Sequence, residues 1–364
     1  MTAMTLESTA SAAMPASSEA KSNTWRMTAL ALLSVRVMQG FIYWGGGSRR
    51  FIYAPSKLDF HRASWMANKF QSAMPGALLG TDHVIAFLLH HFYLLYTALI
   101  VFSTGELLAG LFLMAGFLTR AAALTSVGFS ITLMLMFGWQ GATCIDEWTM
   151  AAANLAMGAT LMLAGSGAFS VDNALLHHSP RLTGRTWFRW LGGALPLPIG
   201  DKSFGKLAVA LLVAVVAFNV ATYSYYRGSV VTPFHGGPVS PSRHHMTLSN
   251  GAVLPDGSVR FHIYLDSGTP AEPANILEAT LLDASGTVLA RWDGATLSGL
   301  PATAIVNDFA YNRFKPGPFG LSAQMGAEAT VTLPAMPAAT VDNAATLHLR
   351  TVNGHAFTLK FAAH

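Results

Sequence analysis

The chain has 364 residues, 52% of them hydrophobic and only 11% charged, whereas soluble domains carry roughly 25% charged residues; with a mean hydropathy of +0.41, much of it is expected to meet lipid rather than water. The single cysteine, Cys144, excludes an internal disulfide framework, a CxxC redox pair and a cysteine-rich metal or iron–sulfur centre. The net charge of +4 comes without a basic stripe interleaved with aromatics, which argues against nucleic acid; cations in loops between apolar runs suit membrane topology or an anionic substrate.

Residues 1–24 are rich in Ala, Ser and Thr and read as a disordered tail. A membrane span takes roughly 20 apolar helical residues, and five segments qualify: 25–44, 92–118, 121–138, 148–165 and 207–225. The first carries Arg36 and is too long for a cleaved signal peptide, so it reads as a retained span. Lys and Arg in the loops favour an N-terminus in the cytoplasm. That places the loop 45–82, the stretch GWQGATCIDEW (138–148) and everything after the fifth span on the outer face.

The stretch WGGGSRRFIYAP (44–55) follows the first span. Three glycines let a backbone turn tightly or approach a ligand closely, and Arg49 and Arg50 are planar, permanently charged donors suited to sulfur or phosphorus oxyanions. A flexible turn with interfacial arginines explains the same residues. Arg36 and Glu106 lie inside spans, where ionisable groups face the bundle interior or a cavity. An Arg36–Glu106 pair is the economical expectation, either as a structural lock or as a polar lining for a quinone. His91 and Tyr43, near the outer ends of their spans, join that quinone-binding set. Cys144 is followed by Asp146 and Glu147 and flanked by Trp139 and Trp148. A thiol is nucleophilic only as thiolate, which nearby cations favour and carboxylates oppose; plain packing of a buried cysteine is the alternative. Asp146 also fits an N-terminal position on the following helix. No CxxCH, HExxH or dinucleotide fingerprint is present, so no metal, haem or flavin is expected.

From about residue 232, Gly, Pro, Ser and Asp punctuate short alternating runs, among them 259–265, 276–282 and 346–352. Six to eight strands separated by turns such as PDG (255–257) predict an antiparallel, immunoglobulin-like β-sandwich. The expected organisation is a tail (1–24), a four-helix membrane domain (25–170), a cytoplasmic connector (171–205), a fifth transmembrane helix (206–226) and an outward β-sandwich (227–364).

The motifs WGGGSRRFIYAP and GWQGATCIDEWTMAAAN together resemble the DoxD subunit of thiosulfate:quinone oxidoreductase. FAYNRFKPGPFGLSAQMGAEATVTLP (309–334) is similar to its DoxA partner, so the chain reads as a DoxD–DoxA fusion. The four-helix hydropathy and GELLAGLFLMAGFLTR link it more loosely to the functionally mixed DoxX-like group. The resemblance implies oxidation of thiosulfate to tetrathionate with a membrane quinone as electron acceptor, in the cytoplasmic membrane. The partners expected are thiosulfate, quinone and the lipid bilayer, with a homo-oligomer left open. On chemical grounds Cys144, Glu147 and Asp146 are the catalytic candidates; Arg49, Arg50, Trp44 and Trp139 would bind thiosulfate; Arg36, Glu106, His91 and Tyr43 would bind quinone. The competing expectations are a non-catalytic quinone-interacting subunit or anchor, and a DoxX-type transport or assembly protein.

Overall fold

A computed structural model describes residues 16–140, 147–227, 243–335 and 343–361. A helical N-terminal region with three candidate membrane spans precedes an all-β domain of two sheets. The described helices are α1 (Ala16–Ala31), α2 (Leu33–Ser48), α3 (Met66–Ala73), α4 (Thr81–His90), α5 (Phe92–Ala115), α6 (Thr119–Phe137), α7 (Glu147–Ala164), α8 (Val171–His178), α9 (Thr186–Leu191) and α10 (Asp201–Arg227). Helices α5, α6 and α10 are each long and apolar enough to cross a bilayer. The first expected span is two pieces, Asn23–Ala31 and Leu33–Tyr53, bent by 45°; taken as one span they make a fourth. The segment expected as the fourth span forms α7, 18 residues long, which is not among the three. Along α10 no residue of the apolar window is buried, and Val209, Leu212, Val213, Val216 and Val220 stand exposed. Val215 and Phe218 pack partly buried against Met134, Ala151 and Leu155; the apolar face left bare is one that lipid would solvate.

Two compact units are present. The first comprises the residues up to Trp44, Leu108–Ser126 and Met157–Leu211; the second comprises Gly45–Leu107, Val127–Ala156 and the residues from Leu212 onward.

In the first unit, buried charge is satisfied by backbone. Arg120 donates to the carbonyls of Met162 (3.0 Å), Arg189 (3.2 Å), Gly192 (2.7 Å) and Leu195 (2.8 Å). Asp172, fully buried, accepts from the N–H groups of Leu118 (2.8 Å), Thr119 (3.1 Å) and Gly193 (2.7 Å). These contacts close off helix ends and connecting loops whose polar groups would otherwise be buried unpaired. Small residues let two helix backbones meet here: a Cβ on Gly110 would lie 2.2 Å from the Trp44 nitrogen. Close helix crossings in membranes are built in this way.

The second unit holds the β domain: β1 (His245–Val253), β2 (Val259–Ser267), β3 (Ala274–Leu282), β4 (Val288–Trp292), a short α11 (Gly294–Ser298), β5 (Ile305–Asn307), β6 (Lys315–Gly317), β7 (Gly320–Ala323), β8 (Glu328–Leu333), β9 (Thr346–Thr351) and β10 (Ala356–Lys360). One sheet has the order β1-β2-β8-β5; the other has β10-β9-β3-β7-β6, with β4 also on β3, and every pairing is antiparallel. Burial alternates strictly along β2 and β8, as a sheet with one covered face requires. Phe261, Ile263, Val331 and Leu333 from one sheet share a core with Ile276, Leu281, Leu347 and Leu349 from the other. Each such side chain contributes roughly 1.5–3 kcal/mol on burial. The turn expected at Pro255-Asp256-Gly257 is present, with Gly257 at a φ of +84°, a left-handed position that favours glycine.

Within the same unit, α3 is joined to the sandwich by two buried amides. Gln71 Nε2 donates to the carbonyls of Asn312 and Gly326, and Gln71 Oε1 accepts from the Asn312 N–H, all at 2.8 Å. Asn312 Nδ2 donates in turn to the carbonyls of Asn68 and Met325, both at 2.8 Å. Trp65 packs edge-on against Tyr311 with ring centroids 4.9 Å apart. Asn312 lies in the loop YNRF (311–314), and its side-chain amide is spent on this junction.

Candidate functional site

The three glycines after Trp44 do not form a turn. They continue α2, and the chain then passes through a π-helical turn, Arg49–Tyr53. The close approach they permit is to another helix: a Cβ on Gly46 would lie 2.1 Å from Glu106 Oε1, and one on Gly47 2.6 Å from the Leu107 nitrogen. Turn glycines and helix-crossing glycines look alike in sequence, and here crossing α5 is their role. A π-helical turn widens the helix by a residue per turn and recurs at functional sites.

Directly after the crossing, Arg50 forms an ion pair with Glu106 on α5, and its guanidinium lies 5.8 Å from the centroid of the Phe102 ring. Both members of the pair are largely buried. From α3, Lys69 Nζ binds Glu147 Oε1 at 2.8 Å and sits 5.1 Å from the Phe137 ring centroid. Arg49 is exposed and Lys57 half-buried. The Lys57 ammonium is held below the usual lysine range, first by burial and then by the positive charges of Arg49, Lys69 and Arg50, with Glu106 acting the other way. Four cations thus crowd one region against the two carboxylates Glu106 and Glu147, leaving it electropositive. Such an excess attracts anions.

Two cavities adjoin these cations. One, of about 300 Å³, is lined by Arg50 and Lys69 together with apolar side chains from α3 to α6, including Ile85, Leu95, Phe102 and Met136. The other, of about 480 Å³, is polar: Lys69, Ser72, Gln140 and Glu147 face Asn312 and Gln324 of the sandwich. Lys69 lines both.

The residues singled out in the sequence fall into three groups. Arg50, Glu106 and Glu147 are brought together with Arg49 around this electropositive region. Trp139, Tyr43, Trp44, Arg36 and His91 are engaged elsewhere. Trp139 is fully buried, donates its indole N–H to the Ala73 carbonyl at 2.8 Å and belongs to the sandwich core, so its ring is closed to solutes. Tyr43 is buried, with its hydroxyl on the Ser126 carbonyl at 2.9 Å. Trp44 is a half-buried helical residue tilted against Phe41. Arg36 donates to the carbonyls of Ser166 and Phe169, both at 2.6 Å, so Arg36 and Glu106 each have a partner other than the one expected. His91 is exposed, its Nδ1 within 2.7 Å of the Phe87 carbonyl. Cys144 and Asp146 lie outside the described residues; Gln140 and Glu147, the described residues on either side of them, both line the polar pocket.

Sequence reasoning missed Lys57 and Lys69 as site residues, counting them only as loop cations, and missed Gln71 and Asn312 as the junction. On α3, Lys69 stands exposed while Met66, Ala67, Gln71, Ser72 and Ala73 are buried, a contrast that appears only in the structure.

Residues 31–197 match the family described as TQO small subunit DoxD, and residues 226–360 match TQO small subunit DoxA. The chain is a DoxD–DoxA fusion. Both families are named for small subunits of thiosulfate:quinone oxidoreductase, which points to an oxidoreductase, and the apolar helices make it a membrane protein. No solved structure matches the chain. In the DoxD–DoxA fusion the polar pocket takes walls from both matched regions, Lys69 and Glu147 from the DoxD part and Asn312 and Gln324 from the DoxA part.

Proposed function

We propose that the protein oxidises thiosulfate to tetrathionate and delivers the two electrons to a membrane quinone. The observation that carries this reading is Lys69, one cation lining both a polar, anion-attracting pocket and an apolar cavity. Thiosulfate is drawn by Arg49, Lys57 and Lys69, whose charge offsets the repulsion between two dianions that must be joined. The quinone ring enters the apolar cavity, which is at the small end of the range of roughly 300–1,000 Å³ typical of ligand pockets. There Arg50 and Lys69 stabilise negative charge as it develops on the quinone oxygens. Two thiosulfates lose two electrons and become one tetrathionate; the quinone takes those electrons with two protons and becomes quinol. Glu147, paired to Lys69 beside solvent, is placed to relay protons. The protein sits in the cytoplasmic membrane with its N-terminus in the cytoplasm and the sandwich outside.

Cys144 offers a covalent form of the same oxidation. Its thiolate and one thiosulfate lose two electrons to quinone and form a cysteine–S–thiosulfonate, Cys–S–S–SO3⁻; the sulfane sulfur of a second thiosulfate then attacks the sulfur bonded to Cys144 Sγ, breaking that S–S bond to release tetrathionate and the thiolate. The Cys144→Ser variant separates this route from direct oxidation, because only the covalent route loses turnover.

The test uses the purified full chain in liposomes with thiosulfate and a short-chain quinone, following quinol formation. Ala98→Phe, which fills the apolar cavity, is expected to raise the KM for quinone while leaving that for thiosulfate unchanged. Quinone reduction that requires an added protein would replace this reading with that of an anchor subunit, and thiosulfate flux without redox change would replace it with transport.

A further inference from the structure

Three strands of one sheet converge on a cluster that no local motif announces. In the order β1-β2-β8-β5, strands β2, β8 and β5 are consecutive neighbours. Along β2, Phe261, Ile263 and Leu265 point into the core, so His262 and Tyr264 lie on the opposite face. Tyr264 pairs with Glu328 and His262 with Thr330, which sets Glu328 diagonally beside His262 on that face, within side-chain reach. Asp308 follows β5 directly and is fixed by its own N–H, which donates to the Glu328 carbonyl at 2.9 Å.

The ligand atoms of His262, Asp308 and Glu328 all lie within 4.8 Å of one another. His262 Nε2 is 3.1 Å from Asp308 Oδ2 and 3.5 Å from Glu328 Oε1. A tetrahedral cation with ligand bonds of about 2.1 Å needs its ligand atoms about 3.4 Å apart, and both measured edges are close to that. The other ring nitrogen, Nδ1, lies 3.4 Å from Ser249 Oγ on β1. With the Nδ1 proton donated to that hydroxyl, Nε2 presents a lone pair to the space shared by the carboxylates, the arrangement by which metal-bound imidazoles are oriented. The cluster is partly exposed, so water is available as a fourth ligand.

We propose that His262, Asp308 and Glu328 form a binding site for a divalent transition-metal cation. One imidazole and two carboxylates match Zn²⁺ best, with Mn²⁺ second, and disfavour Mg²⁺, which prefers an all-oxygen shell. The cation ties the three-residue strand β5 to β8 and β2, pinning a short sheet edge. The site is independent of the thiosulfate–quinone reading.

The full-length protein in detergent, stripped with a chelator and dialysed, is titrated with ZnCl₂ by calorimetry and followed in parallel by thermal unfolding. The expectation is one equivalent bound with a Kd in the micromolar range or tighter, and a rise in Tm on saturation. Asp308→Asn, nearly isosteric and at a partly exposed position, is expected to weaken binding at least tenfold, and His262→Ala to abolish it along with the Tm rise. His245→Ala, which removes an imidazole from a two-residue pair with Asp266, is expected to leave the affinity unchanged. If wild type, Asp308→Asn and His262→Ala bind Zn²⁺ equally, or if none binds a stoichiometric equivalent, the cluster is a polar contact without a metal and the proposal is overturned. Should His262→Ala fail to fold, the Asp308→Asn titration decides alone.

Discussion

The two units hold positive charge in different ways. Arg36 and Arg120, in the first, spend their donors on backbone carbonyls, and Arg120 alone serves four. Arg50 and Lys69, in the second, each hold one carboxylate and turn another face to a cavity. A guanidinium that holds four carbonyls, as Arg120 does, is a structural fastener. A cation with a single acidic partner keeps both charge and an open side, and that residual capacity is what a binding site requires.

The largest effect is expected where the fastener is cut. Arg120→Met leaves four carbonyls, that of Gly192 buried and the others partly so, without their donor and should destabilise the protein by about 3–5 kcal/mol, read as loss of folded yield and a lowered Tm in detergent. Arg120→Lys should not rescue it, since one ammonium does not reproduce a planar fork of donors. Next comes Arg50→Met, expected to lower thiosulfate-driven quinone reduction about 100-fold, or about 2.7 kcal/mol of transition-state stabilisation. The double variant Arg50→Met/Glu106→Gln should regain stability by removing the unpaired carboxylate, without regaining turnover. If instead the Arg120 variant folds normally and Arg50→Met unfolds the chain, the contrast between the units is wrong.

A middle-sized effect tests the junction. Asn312→Leu deprives Gln71 Oε1 of nothing, because that bond uses the Asn312 backbone N–H, but leaves the carbonyls of Asn68 and Met325 short of a donor. Roughly 1–3 kcal/mol should be lost, visible as faster hydrogen exchange in α3. The smallest effect belongs to Lys57. Its folded pKa is below its ordinary value, so its proton is lost at a lower pH than in the unfolded chain. Affinity for a dianion should therefore fall as pH rises through that lowered value, while fold stability rises over the window between it and the ordinary value. Bound thiosulfate favours the protonated form, so binding near that pH takes up protons. A KM for thiosulfate measured against pH should show this dependence in wild type and lose it, at a several-fold higher baseline, in Lys57→Met.

Much of the architecture was legible because it rests on composition and period. Lipid-length apolar runs announced α5, α6 and α10, and alternation announced β2, β3 and β9. The site was less so. Arg36 was matched to Glu106 because sequence reveals side-chain charge and hides backbone acceptors, and carbonyls turned out to be what Arg36 uses. Gly45 to Gly47 suggested a bend because glycine has two opposite uses, strained turns and tight crossings, that only the partner helix distinguishes. Trp139 was expected to bind thiosulfate, yet its ring is fully buried in the core cluster of the sandwich. The cluster of His262, Asp308 and Glu328 spans 67 positions of chain, and only strand pairing brings it together.

Helix α10 carries one last implication. It runs from Asp201 to Arg227, across most of the stretch between the two matched families and into the start of the second, and joins them covalently. Where two polypeptides would have to be made in balanced amounts and find each other in the bilayer, translation here fixes their ratio at one to one. Tethering also replaces bulk encounter with a high local concentration, so a junction as small as the Gln71–Asn312 amide pair can keep the pocket's two walls assembled without the affinity that separate chains would need.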